Sequence, residues 1–227
     1  MKKLCLLLLF TLVLAACAQN SKQNKYGLKI VNSTQEYQEI TQRDKNKTLI
    51  EIKKAIPSIK LDIRYATKNN FMKQVMYNQA RAFARRPVVA ALKAIEAELK
   101  PKGFGLKIFD AYRPYAVTIQ FYEKASDKNF VADPAKGSMH NRGCAVDLTL
   151  IDLKTGKDVK MPTPYDSFEA AAAPHYNKLP ADVIKNRDFL IKTMHAHGFK
   201  VMYNEWWHYD FNGWPNYELM DIPFESL

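Results

Sequence analysis

With 227 residues, 47% of them apolar and 12% aromatic, the chain can bury one substantial core, and a single domain is the simpler reading than two. Its net charge is +11, or +9 without Lys2 and Lys3, and the lysines are spread along the sequence instead of clustering with aromatic residues. That distribution argues against a nucleic-acid surface.

Lys2 and Lys3 precede an apolar run from Leu4 to Leu14 that is too short to span a bilayer. The small residues of Leu14-Ala15-Ala16-Cys17 then resemble a bacterial lipobox, in which Cys17 carries the lipid and becomes the first residue of the mature chain. Residues 1–16 are therefore expected to be a lipoprotein signal peptide. An ordinary secretory cleavage near Ala18 is the alternative, and either way the protein is exported to the periplasmic or extracytoplasmic side. Removal of Cys5 and lipidation of Cys17 leave Cys144 as the single thiol, so no intramolecular disulfide is available.

Residues 17–47 are polar, rich in Asn, Gln, Lys and Ser, and are expected to form a flexible tether ahead of a domain at 48–227. Ile59, Leu61, Ile63 and Tyr65 alternate with polar residues and predict a half-buried strand. Arg86-Pro87 opens a helix carrying Val88, Ala91, Leu92, Ile95 and Leu99, which Pro101 and Gly103 close. A strand with Leu106, Ile108 and Asp110 on one side follows, then a helix starting at Pro114.

From Gly143 to Leu150 the pattern alternates again, with Asp147 turned away from the apolar face of Val146, Leu148 and Leu150. The stretch from Asp152 to Pro180 holds four prolines and predicts a long covering loop. Asp182 is placed to cap a third helix ending at Gly198, and a hairpin closes the chain through Phe199–Tyr203 and Trp207–Phe211. This order predicts an α+β domain, a mainly antiparallel sheet flanked by helices, with the chemistry on the sheet.

Two stretches carry that chemistry, Ser138-Met139-His140-Asn141-Arg142-Gly143-Cys144-Ala145-Val146-Asp147 and Glu205-Trp206-Trp207-His208. Catalytic zinc takes three protein ligands and leaves a fourth position to water, beside which a further carboxylate must stand without binding the metal. His140, Asp147 and His208 suit the ligands and Glu205 the base. Gly143 lets the chain turn between His140 and Asp147, and a turn or bulge at Glu205-Trp206 is needed to bring Glu205 round to the side of His208. Singly, each residue also fits a satisfied histidine or a paired charge. Jointly, two carboxylates among apolar and aromatic neighbours would be costly without a cation. Cys144, between two candidate ligands, is expected to be a small buried strand residue. His195 and His197 are two apart and cannot chelate one ion from a regular helix, and His175 is expected at the surface.

The pattern Ser-x-His-x-x-Gly-x-Ala-x-Asp with a later Glu-Trp-Trp-His resembles the D-alanyl-D-alanine dipeptidases, a branch of the superfamily that includes D,D-carboxypeptidases and the hedgehog signalling domain. The likeness extends to Arg64-Tyr65-Ala66-Thr67, Asp110-Ala111-Tyr112-Arg113-Pro114 and Met161-Pro162-Thr163-Pro164-Tyr165-Asp166-Ser167-Phe168. It implies one Zn2+ per chain on His140, Asp147 and His208, Glu205 as general base and acid, and Arg113 stabilising the transition state. Arg113 could instead simply pair Asp110. The resemblance further implies that Tyr65 and Asp166 meet the substrate ammonium and Ser138 its carboxylate. The expected reaction is hydrolysis of D-Ala-D-Ala. The alternatives are a D,D-carboxypeptidase trimming peptidoglycan stem peptides, or a non-catalytic wall-binding lipoprotein.

Overall fold

The computed structural model describes residues 24–125 and 127–227, so the expected signal peptide and Cys17 lie outside the described residues. Strand β1 (Ile30–Val31) and helix α1 (Thr34–Arg43) come first, and Ser33 caps the helix by accepting from the Glu36 amide. Next come β2 (Leu49–Glu51), the short α2 (Ile52–Ala55), β3 (Lys60–Leu61) and β4 (Phe83–Arg85). Helix α3 (Arg86–Leu99) starts with proline in its first turn and leads into β5 (Phe104–Asp110) and α4 (Tyr115–Lys124). Strand β6 (Ala145–Asp152), helix α5 (Ala181–Ala196) and strands β7 (Phe199–Val201), β8 (His208–Phe211) and β9 (Leu219–Met220) complete the chain.

The central sheet has the order β3-β5-β6-β8-β7. Its β3–β5 pair is parallel and the other three pairs are antiparallel, so the sheet is mixed within an α+β domain. Among the described residues β2 pairs with β4 and β1 with β9, outside that sheet. Val88, Leu92, Ile95 and Leu99 of α3 share one core with Leu106, Ile108, Val146, Leu148 and Leu150. The alternation along β6 therefore points Val146, Leu148 and Leu150 into that core and Asp147 to the opposite face.

Three local expectations change. The stretch from Ile59 to Tyr65 is extended only at Lys60–Leu61, because the chain then coils into a 3-10 turn at Arg64–Ala66 that still buries Tyr65. Helix α5 begins after Pro180, with Asp182 inside its first turn and no side-chain cap. The flexible tether to residue 47 is corrected over its described part. Val31 and Tyr37 are buried, β1 pairs with β9 near the far end of the chain, and the Leu49 amide donates to the Tyr37 hydroxyl at 2.8 Å. Among the described residues no helix is long and apolar enough to cross a membrane.

Candidate metal centre and active site

Asp147 and His208 lie directly opposite each other on β6 and β8, and directly opposite residues of an antiparallel pair share a face. His140 reaches them from a 3-10 turn at His140–Arg142, which ends at Gly143 in the left-handed region with φ +68°. A side chain at Gly143 would be strained there and would strike Leu49 at 2.6 Å. The two imidazoles and the carboxylate thus come from three separate segments, as the sequence predicts, with one atom of each within 4.8 Å of the others. His208 Nδ1 is 3.0 Å from Asp147 Oδ1, and His140 Nε2 is 3.1 Å from His208 Nδ1 and 3.4 Å from Asp147 Oδ1.

Each of these groups is held from behind. His140 Nδ1 lies 2.6 Å from the Ala111 carbonyl, a pure acceptor, so that nitrogen carries the proton and Nε2 is left as a lone pair. His208 Nε2 lies 2.9 Å from Asp210 Oδ1, which leaves Nδ1 facing inward. Tyr165 donates to Asp147 Oδ2 at 2.9 Å, while Asp147 Oδ1 is buried without a hydrogen-bond partner. An orphaned buried carboxylate oxygen beside two inward ring nitrogens is the donor set a tetrahedral divalent cation satisfies. Zinc fits these residues.

The turn between β7 and β8 brings Glu205 round, as the spacing requires, with its Oε2 3.8 Å from His208 Nδ1 and outside the three-residue cluster. Burial raises the Glu205 pKa above the ordinary carboxylate range, and the negative charge of Asp147 adds to that against the pull of His208. Two bonds fix the turn. The Trp206 amide donates to the Ala172 carbonyl at 2.9 Å and its indole N–H to Thr163 Oγ1 at 3.0 Å, fastening it to the loop between β6 and α5.

Arg113 pairs with Asp110, one of the two readings its sequence context left open. Its Nε and Nη2 donate to Asp110 Oδ2 at 3.0 and 2.8 Å, and the guanidinium faces the rings of Phe121 and Tyr65 at 4.7 and 5.4 Å. It also lines the cavity, and its Nη1 makes no hydrogen bond among the described residues. The register slip between Ile108 and Asp110 sets Asp110 opposite Asp147. Tyr77 and the Ala111 amide bond the other oxygen of Asp110, so the carboxylate that holds Arg113 is itself fixed.

A cavity of about 220 Å³ joins these groups to Ser138, Tyr65 and Asp166. The Tyr65 hydroxyl donates to Asp166 Oδ1 at 3.0 Å. Asp166 Oδ2 is buried without a partner, on a residue whose φ is +61°. Burial, and then the charge of Asp147, push the Asp166 pKa well above its usual range. Ser138 is bound to the metal turn, its hydroxyl accepting from the His140 amide at 3.2 Å.

Cys144 is fully buried just ahead of β6, not within it, and burial raises its pKa to about 12, so the thiol is inert. His197 pairs with Glu98 at 2.8 Å, while His195 and His175 are exposed. Sequence reasoning offered Asp110 as the partner of Arg113 but missed Asp210 and Tyr165 as supports. Asp210 was legible, since His208 and Asp210 two apart on a strand share a face; Tyr165 depends on a contact across the fold.

A family model described as D-ala-D-ala dipeptidase matches residues 45–224. The chain belongs to that family. Its members are zinc peptidases, and the His-Asp-His cluster of this chain is the matching donor set. A D-alanyl-D-alanine dipeptidase of Escherichia coli is 28% identical over 79% of this chain and 92% of its own length. One from Enterococcus faecalis is also 28% identical, over 73% of this chain and 88% of its own. Among solved structures, a vancomycin-resistance D,D-pentapeptidase, VanY, in complex with Zn(II) is 14% identical, covers 59% of this chain and 75% of its own, and superposes with a TM-score of 0.34, too distant to argue from.

Proposed function

We propose that this protein hydrolyses D-alanyl-D-alanine to two molecules of D-alanine at one zinc ion held by His140, Asp147 and His208. The observation that carries the reading is a small cavity lined both by a donor set for zinc and by Asp166, whose second carboxylate oxygen is buried without a partner. At about 220 Å³ it falls below the roughly 300–1,000 Å³ of sites for drug-sized ligands. An unpaired buried carboxylate calls for a cation, and a free dipeptide supplies one in its ammonium group.

When bound, zinc polarises the scissile carbonyl and makes water available as a nucleophile at neutral pH. Glu205 takes the proton from that water and returns it to the leaving amine, roles that suit a carboxylate whose pKa burial has raised. Arg113, fixed by Asp110, presents its free Nη1 to the charge that grows on the carbonyl oxygen. Tyr65 and Asp166 hold the substrate ammonium, and Ser138 donates to its carboxylate. The sheet face, the metal turn and the covering loop keep these groups in register.

The basic start at Lys2 and Lys3, the apolar run and the lipobox-like Cys17 support an exported protein anchored by lipid on the periplasmic or extracytoplasmic side, where wall-derived peptide is the available substrate.

Zinc-loaded protein is assayed for amine release from D-Ala-D-Ala, N-acetyl-D-Ala-D-Ala and L-Ala-L-Ala. Cleavage of the free D,D-dipeptide alone is expected. Equal or faster cleavage of the acetylated peptide would make the protein a D,D-carboxypeptidase, and zinc-loaded protein that turns over nothing would be a wall-binding lipoprotein.

A further inference from the structure

Beyond the groups that touch the reacting atoms, the cavity has an aromatic wall. Tyr65, which holds Asp166, meets the edge of Phe71 at 6.2 Å, and Phe71 meets the edge of Phe168 at 5.6 Å. Phe168 in turn stacks on Phe130, with ring centroids 4.7 Å apart and planes only 21° from parallel. All four rings line the cavity. Phe71, Tyr65 and Phe121 are packed into the domain, whereas Phe130 and Phe168 come from two irregular segments, the turn at Lys128–Phe130 and the loop between β6 and α5. Phe168 stays 37% exposed although it is a large apolar side chain two residues from Asp166.

We propose that the Phe130–Phe168 stack is a door over the ammonium end of the cavity, and that these two rings are the specificity-determining residues that confine the enzyme to peptides with a free amino terminus. This rests on the dipeptidase reading above. Phe168 lies two residues from Asp166 and contacts Phe71, which packs with Phe121 against the Tyr65 that holds Asp166, so the Phe130–Phe168 stack stands in the way of an amino-terminal extension beside Asp166. The stack has a second effect. Asp166 Oδ2 is buried without a partner, so with the stack closed it depends on the substrate's own charge, and a blocked, neutral amino terminus is penalised twice. Stacking between two loop-borne rings adds little beyond its buried area, weak enough to open for substrate entry.

The test is the ratio of kcat/KM for N-acetyl-D-Ala-D-Ala to that for D-Ala-D-Ala in zinc-loaded full-length enzyme. In the double variant Phe130→Ala with Phe168→Ala the ratio should rise at least ten-fold, as the channel opens and water reaches Asp166. Phe168→Leu, which keeps bulk at a half-exposed site and so preserves folding, should raise it by a smaller factor. A ratio unchanged in both variants, with the wild type cleaving D-Ala-D-Ala, would overturn the door and leave the dipeptidase assignment standing. A folded, zinc-loaded wild type that leaves D-Ala-D-Ala intact would sink the assignment, and the door with it.

Discussion

Glu205 and Asp210 both sit beside His208, Glu205 3.8 Å from its Nδ1 and Asp210 2.9 Å from its Nε2. Glu205 stands outside the metal cluster, so Glu205→Gln should keep stoichiometric zinc while kcat falls by roughly 10²- to 10⁴-fold. Wild-type turnover in that variant would remove the base from the mechanism. Asp210 acts through His208 Nε2, and its loss should weaken zinc binding about 10- to 100-fold, as loss of such supporting groups does elsewhere. The protons follow from the same contacts. Burial alone would lower the His208 pKa, but the nearby Asp147 carboxylate and the hydrogen bond to Asp210 outweigh burial and raise it well above the ordinary histidine value. Metal-free protein therefore carries the proton on His208 at neutral pH, zinc must displace it, and zinc affinity rises with pH until that histidine is neutral on its own. Calorimetric titration of chelated protein in two buffers of different ionisation enthalpy should show proton release on zinc binding at pH 7, and less of it in Asp210→Asn.

At the scale of elements, the site depends on joints between segments far apart in sequence, and Trp206 is the one that couples two of them. Its ring is almost fully buried, and it ties the Glu205 turn to the loop that carries Tyr165 and Asp166. Trp206→Ala should cost about 3–5 kcal/mol, or roughly 6–20 °C in Tm for a domain of this size. Turnover measured well below the new Tm should also fall, because Asp166 and Glu205 lose their common support; unchanged kcat/KM there would show that the joint serves stability alone. The elements that sequence reasoning recovers are those whose signal is local. Helix α3 announces itself by Arg86-Pro87 and an apolar stripe, β6 by strict alternation, and the Glu205 turn by the spacing to His208. What escapes is non-local. The slip that sets Asp110 opposite Asp147 falls at Phe109, whose ring stacks on Tyr165 at 4.5 Å, a partner 56 positions away. Ile63 and Tyr65 keep the alternation of a strand and are buried as that pattern demands, yet they do it from a turn, because burial constrains only where side chains point.

For the molecule as a whole, the decisive question is where the folded domain begins. A polar composition hides α1, since Tyr37 is its only fully buried side chain and a single anchor leaves little periodicity to read. Strand β1 is hidden more completely, because its partner β9 lies at the other end of the chain and the pairing is parallel. Both are nevertheless structural. Val31 is 1% exposed, the Asp221 amide donates to the Val31 carbonyl at 2.7 Å, and the Tyr37 hydroxyl accepts the Leu49 amide. A protein beginning at residue 48 would thus lose two buried side chains and leave Leu49 and Asp221 with amides to satisfy elsewhere. Burial of a Val and most of a Tyr is worth about 3–5 kcal/mol, which for a domain of this length corresponds to roughly 6–20 °C in Tm. Thermal unfolding of zinc-loaded proteins beginning at residues 24 and 48 should show a deficit of that order in the shorter one. Equal Tm values would restore a long tether and place the start of the domain after residue 47. A large deficit ties β9 to the amino-terminal segment, so that any pull on the chain ahead of Ile30 acts on the strand pair that packs against the His140–Arg142 turn of the metal centre.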